Sequence, residues 1–147
     1  AIHGGVYGGA TDLALCCDLR IGVSSSRMFM PAAKFGLHYY PGGMRRYVER
    51  LGLTAATRLF LTASTIESDE MLRIGFLTER VEPDALGAAI DRTVADLAAT
   101  EPLALAAMKR SLAELGATRA AVAPIESRYL DSLASPALHQ RLKQRLG

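Results

Sequence analysis

The chain has 147 residues, half of them apolar, with 17 Lys and Arg set against 15 Asp and Glu. That is enough for one domain with a substantial core and too little for two of full size. A net charge of +2 with no long basic run argues against nucleic acid or a membrane surface as the main partner, and no apolar stretch approaches the roughly 20 residues that span a bilayer. The opening AIHGGVYGGATD lacks the basic start and unbroken apolar segment of a signal peptide. Cys16 and Cys17 are adjacent and make no disulfide framework, so a reducing, cytoplasmic setting is expected. The abrupt start on Ala-Ile-His-Gly-Gly, without Met, suggests a piece of a longer protein.

The pattern opens on the end of a strand, followed by Gly4-Gly5 and Gly8-Gly9 and then a helix from Ala10 to Cys17, with Asp18 ending it. Leu19, Ile21 and Val23 alternate as a strand does. After the turn Ser24-Ser25-Ser26-Arg27, Met28 to Met30 form a short strand that Pro31 stops. A loop holding Gly36, Tyr39, Tyr40, Pro41, Gly42 and Gly43 leads into a helix over Met44 to Leu51, with Gly52 as its cap. A second helix follows over Thr54 to Thr62. A third runs from Ser68 to Arg73 with acids in its first turn, and Gly75 ends it. Phe76 to Val81 is a strand candidate.

Composition shifts near residue 82. Ten of the 13 glycines and every aromatic except Tyr129 precede that point, and Ala- and Leu-rich helices should fill the remainder. Pro83 suits the first turn of a helix to Ala98, with Leu86, Ala89, Ile90, Val94 and Leu97 on one face. Further helices are expected over Pro102 to Leu115, over Pro124 to Leu133 and from Pro136. The chain thus divides into 1–82, which carries the turn with chemical potential, and 83–147, which is helical.

That turn is Gly8-Gly9-Ala10-Thr11-Asp12. Glycines at a strand-to-helix junction let the backbone approach a ligand, and the first N–H groups of a helix have no partner inside it. Backed by the helix dipole, they bind anions or developing negative charge, such as the enolate oxygen of a thioester. Asp12 lies about one turn past Gly9 and can face the same pocket. Spacing alone leaves open a plainer role, with packing glycines and a capping or solvated Asp12.

The run His-Gly-Gly-Val-Tyr-Gly-Gly-Ala-Thr-Asp-Leu-Ala-Leu-Cys-Cys-Asp-Leu-Arg-Ile resembles the signature of the crotonase (enoyl-CoA hydratase/isomerase) superfamily. The similarity continues through Phe29-Met30-Pro31, Gly36, Gly42-Gly43-Met44-Arg45-Arg46, Leu61-Thr62-Ala63 and Gly75-Phe76-Leu77. It implies an α/β crotonase-like fold of stacked strand-strand-helix units, followed by a helical trimerisation region. It also implies an acyl-CoA substrate, a homotrimer or a hexamer built as a dimer of trimers, and no cofactor beyond the coenzyme A of the thioester. Catalysis would rest on Gly9, as one of two backbone donors to the thioester oxygen, on Asp12 in the place of the first catalytic carboxylate, and on Tyr39. Gly8, Gly9, Met30, Ala32, Phe35, His38 and Tyr40 would line the substrate. The second donor and most of the adenine pocket would come from a half that precedes residue 1.

Two departures bear on the reaction. Hydratases of this superfamily carry a second Glu directly after the proline that matches Pro31, whereas this chain has Ala32. Adding water uses an acid and a base, and Ala32 supplies neither. Gly36-Leu37-His38-Tyr39-Tyr40 resembles the Gly-x-x-Tyr of the methylmalonyl-CoA decarboxylase branch, in which the tyrosine faces the acyl end. These aromatics would equally serve as walls of an apolar pocket. The residues therefore favour isomerisation or decarboxylation over simple hydration, with a non-catalytic acyl-CoA-binding or assembly protein as the rival. Cys16 and Cys17 read as small core residues without metal spacing. Arg45, Arg46 and Arg50 are placed either on the phosphates of coenzyme A or on a solvated helix face. No GxGxxG, Walker A or GxSxG motif is present.

Overall fold

A computed structural model describes residues 1–116 together with Pro136 and Gln140. The helix expected over 124–133 lies outside the described residues, as does the one expected from 136 apart from Pro136 and Gln140. The first compact unit runs from Ala1 to Thr93, and a second begins at Val94.

In chain order the first unit contains β1 (Gly5–Tyr7), α1 (Gly9–Cys16), β2 (Ile21–Val23), β3 (Arg27–Phe29), a 3-10 turn at Ala32–Phe35, α2 (Pro41–Leu51), α3 (Leu53–Thr62), β4 (Ile66–Glu67), α4 (Ser68–Arg73), β5 (Glu79–Val81) and a 3-10 turn at Pro83–Ala85. Helix α5 (Leu86–Ala98) starts in this unit and passes into the second, which also holds α6 (Pro102–Gly116). Strand β3 lies between β1 and β4, parallel to the first and antiparallel to the second, with Val6 beside Met28. Strand β2 pairs in parallel with β5, and Ile2 bridges to Gly22. Parallel neighbours need crossover connections, and α1 and the α2–α4 run serve as these.

Helix α1 forms because two glycines end β1 at a place where the chain must turn sharply. Gly8 sits at φ 54° and ψ −125°, a backbone conformation that a side chain makes costly. The helix buries Thr11, Asp12 and Leu15, spaced as one helical face requires. Cys16 and Cys17 are exposed and not part of the core. Leu15 ends the buried face, and the chain leaves the helix in extended geometry at Cys17.

Helix α2 starts at Pro41, three residues earlier than the glycine pair suggests. Proline is preorganised for the first helical position, where its missing N–H costs nothing. Gly43, inside the helix, has the rings of Tyr39 and Tyr40 packed where a Cβ would stand. Tyr47, one turn on, is fully buried and packs on Phe60 of α3 at 4.8 Å between ring centres. The core gathers Val6, Leu15, Met28, Met30, Ala32, Tyr47, Ala56, Leu59, Ile66, Met71, Phe76 and Leu77.

The strand expected from Phe76 begins only at Glu79. Phe76 and Leu77 are buried, but their backbone does not pair with a strand over those two residues. Arg20 accounts for the difference. Its guanidinium is buried and donates to Phe76 O through Nε at 2.6 Å, to Gly75 O at 2.9 Å and to Cys17 O at 2.5 Å. Its backbone N–H donates to Thr78 Oγ1 at 2.8 Å. One cation therefore ties the end of α1 to the segment entering β5. Burial, followed by the nearby charge of Arg50, lowers its pKa from the usual arginine value. Ala89 is buried, and Arg92 pairs with Glu79, so the first part of α5 is tied to the first unit.

Replacing Arg20 by Met keeps the stem and removes donors from one buried and two partly buried carbonyls. We expect a loss of about 2–4 kcal/mol of stability, read as a lower urea midpoint at unchanged slope. Lys, with one point charge in place of a fork, should recover less than half of the loss.

Candidate active site

Asp12 is 5% exposed, and both of its oxygens are engaged. Arg46, in the second turn of α2, donates to Oδ1 at 2.5 Å, and Tyr40 donates its phenol proton to Oδ2. A buried carboxylate without a countercharge would protonate or destabilise the fold, and Arg46 meets that requirement. In return the Asp12 bond, with Tyr40 adding to it, raises the Arg46 pKa above the ordinary arginine value. Arg46 is thus a partner of Asp12, whereas Arg45 is exposed and Arg50 reaches Asp18 at 3.4 Å.

The glycine turn lies beside this pair. Gly8 donates its N–H to Phe29 O at 3.1 Å, which pins the turn to the end of β3. Gly9 is the first residue of α1, and a Cβ added to it would meet nothing within 4 Å. The backbone there is open to an approaching group, with a helix-end N–H as donor. Thr11 is fully buried and donates its hydroxyl to Gly8 O at 2.5 Å. Thr11 Oγ1 is also hydrogen-bonded to the Tyr47 hydroxyl.

The aromatics of the 36–40 loop divide their roles. Tyr40, and not Tyr39, reaches Asp12. Tyr39 is half-buried, with its ring 4.9 Å from that of Tyr40 and 5.6 Å from that of Phe60. Burial chiefly, with the Asp12 charge adding to it, raises its phenol pKa. Met30 and Ala32 belong to the packed core, Phe35 is 80% exposed and His38 is exposed. Gly8, Gly9, Asp12, Tyr39 and Tyr40 therefore come together, joined by Arg46, Thr11 and Tyr47. Spacing carries one signal for Arg46 and Tyr47: they stand three and four residues after Gly43, on the same side of the helix. Which arginine turns inward depends on how α2 lies against α1.

Elsewhere, a cavity of about 290 Å³ is lined by Leu51, Leu59, Ile66, Ile74 and neighbouring polar groups, none of them in this cluster. Among the described residues there is no group of three or more His, Cys, Asp and Glu placed to hold a metal, and no helix long and apolar enough to cross a membrane.

Two outcomes follow. Arg46→Met should cost about 1–3 kcal/mol, since the partly exposed guanidinium is screened while Asp12 is not. Adding Asp12→Asn should restore part of that loss, so the double variant in urea unfolding is more stable than the sum of the two singles. The second outcome concerns pH. Burial raises the Tyr47 phenol above its ordinary value, so its contribution is complete below about pH 10 and is lost as pH rises toward the folded-state value, by about 1.4 kcal/mol per pH unit. Tyr47→Phe should flatten the alkaline fall in stability between pH 9.5 and 11 (about the range in which free phenols ionise).

Comparison with known proteins gives this geometry a context. The enoyl-CoA hydratase/isomerase family model matches residues 1–141. The chain is 31% identical over 112 residues to the short-chain-enoyl-CoA hydratase of Clostridium acetobutylicum, which covers 76% of this chain and 43% of that protein. It is 31% identical over 117 residues to a short-chain-enoyl-CoA hydratase of Clostridioides difficile, covering 80% of this chain and 74% of that one. The crystal structure of a putative enoyl-CoA hydratase from Thermobifida fusca in complex with acetoacetyl-CoA superposes with a TM-score of 0.80 at 33% identity, over 89% of this chain and 52% of the other. Apart from the Clostridioides difficile protein, the chain spans about half the length, or less, of these relatives and solved structures. With a family match over nearly all residues and an α/β crotonase-like fold shared with solved members, the chain belongs to the enoyl-CoA hydratase/isomerase family of the crotonase superfamily.

Proposed function

We propose that the protein acts on an acyl-CoA thioester by forming an enolate, with the Gly9 N–H holding the thioester oxygen and Asp12 moving the proton. The observation that carries this reading is the open backbone at Gly9 beside a buried carboxylate that has its own countercharge. A thioester oxygen gains negative charge as the adjacent carbon loses a proton or carbon dioxide. A preorganised amide donor is worth a few kcal/mol at that moment, and the step itself calls for no redox group. The Thermobifida fusca structures, determined with CoA and with acetoacetyl-CoA, support an acyl-CoA as the ligand class.

The two Asp12 oxygens are not equivalent. Both bonds are charge-assisted, but only Oδ1 faces a formal positive charge, that of Arg46, while Oδ2 accepts from the Tyr40 phenol. Without that Coulomb attraction the second is the more readily given up, so Oδ2 is the oxygen that exchanges a proton, once Tyr40 swings away. Tyr40 is half-exposed and can move without opening the core. Tyr39, packed behind it, orients the acyl end.

Isomerisation or decarboxylation fits this site because Ala32 stands in the core, where it offers no second acid or base. Hydration is a second reading, favoured by the names of the relatives, which are hydratases. The proposed assembly is a homotrimer or a dimer of trimers. The exposed Leu103, Met108, Leu112 and Leu115 of α6 are the apolar residues available to such packing.

Exchange of α-protons for deuterium in saturated acyl-CoA thioesters, followed by mass spectrometry, reads enolate formation whatever the overall reaction. The wild-type protein should exchange, and Asp12→Asn should slow exchange by about 10²–10⁴-fold. A parallel panel of 2-enoyl-, 3-enoyl- and 2-carboxyacyl-CoA thioesters separates hydration, isomerisation and decarboxylation. Tight binding of CoA esters with neither exchange nor turnover would replace the catalytic reading with that of a non-catalytic acyl-CoA-binding protein.

A further inference from the structure

A peptide N–H cannot be aimed independently of the carbonyl in the same plane. The Gly9 N–H and the Gly8 C=O belong to one peptide unit, which is trans, so the two point in opposite directions. Whatever grips Gly8 O therefore sets the direction of the Gly9 N–H. Gly8 contributes little steric restraint, since it has no Cβ and sits at φ 54°.

Gly8 O accepts two bonds from Thr11, one from its backbone N–H at 3.0 Å and one from its hydroxyl at 2.5 Å. The first belongs to the opening turn of the helix. The second uses the only proton of the Thr11 hydroxyl, so in the Thr11–Tyr47 hydrogen bond it is Tyr47 that donates. The result is a directed chain from Tyr47 on α2, through Thr11, to the carbonyl of the glycine turn. Both side chains are fully buried, and Tyr47 is seated against Phe60 of α3.

We propose that Thr11 and Tyr47 are positioning residues for the oxyanion donor, orienting the Gly8–Gly9 peptide plane through this chain of hydrogen bonds. The inference rests on the assignment of the Gly9 N–H as that donor. Hydrogen bonds at the carbonyl also polarise the amide and strengthen its N–H as a donor. Neither residue touches the reacting atoms. Their effect should appear where charge develops on the thioester oxygen and hardly at all in ground-state binding.

The test is infrared spectroscopy of bound butyryl-CoA labelled with ¹³C at the thioester carbonyl, together with kcat and KM on the best thioester of the panel. In the wild-type protein the carbonyl stretch should move to lower frequency on binding. In Thr11→Val and in Tyr47→Phe that displacement should shrink, and kcat should fall roughly tenfold with KM within about twofold. Thr11→Ser should restore both. Because the two residues act in series, the double variant should lose little more than Thr11→Val alone. A displacement as large in Thr11→Val as in wild type would overturn the inference and leave the Gly9 assignment standing. No displacement in wild type would remove the Gly9 assignment and the inference with it. If Thr11→Val does not fold, Tyr47→Phe with Thr11→Ser decides the matter. An unchanged kcat and carbonyl frequency in Tyr47→Phe would remove Tyr47 from the device.

Discussion

A carboxylate taken out of water needs a countercharge, and the arrangement around Asp12 follows from that need. Arg46 must reach Oδ1, so α2 has to lie against α1 with one particular face inward. That orientation carries Tyr47 into the core, where it meets Thr11, and brings Tyr40, just before α2, over Oδ2. Gly43 makes the approach possible, because the rings of Tyr39 and Tyr40 occupy the space of its absent side chain. A single ion pair thus links the placement of two helices and one loop to the state of a single acid.

Arg20 does comparable work on the other side of α1. Its guanidinium satisfies carbonyls from the end of α1 and from the segment before β5. The two arginines differ in chemistry. Arg20 binds carbonyl dipoles and stays sequestered, with burial lowering its affinity for a proton. Arg46 binds a formal charge and keeps part of its surface in solvent. The first ties the end of α1 to the segment before β5, and the second pairs with the buried carboxylate of the site.

The resemblance to the crotonase superfamily was carried by many positions in register, and the family assignment agrees with it. The same residues leave the reaction finely balanced. Ala32 sits in the core and offers no second acid or base, while the relatives named above are hydratases. Under the proposed reading, the site works with one carboxylate, one phenol and one amide.

Local signals were enough for elements whose ends are marked by strong punctuation. Helix α4 is bounded by Ser68 and Gly75, and α1 is opened by paired glycines, so composition alone located both. The glycine turn and its nearby acid were also legible, since backbone freedom and helix-end donors are properties of a short segment. The start of α2 was only half legible: Pro41 suits a first helical position, but Gly42-Gly43 reads locally as a loop, and its place in the helix shows only with the rings packed over it. The strand expected from Phe76 was shortened by the side chain of Arg20, 56 residues away in sequence. Cys16 and Cys17 looked like core residues by type, yet they lie where α1 runs out of its buried face. From its own residues the chain determined where backbone would turn, where an N–H would be left without a partner and which family it belongs to. Only the tertiary structure decided that Arg46 meets Asp12, that Tyr40 rather than Tyr39 covers it, and that Thr11 and Tyr47 join behind the turn. The reason is physical: such pairings depend on the angle at which helices pack, and no periodicity within one helix encodes that angle.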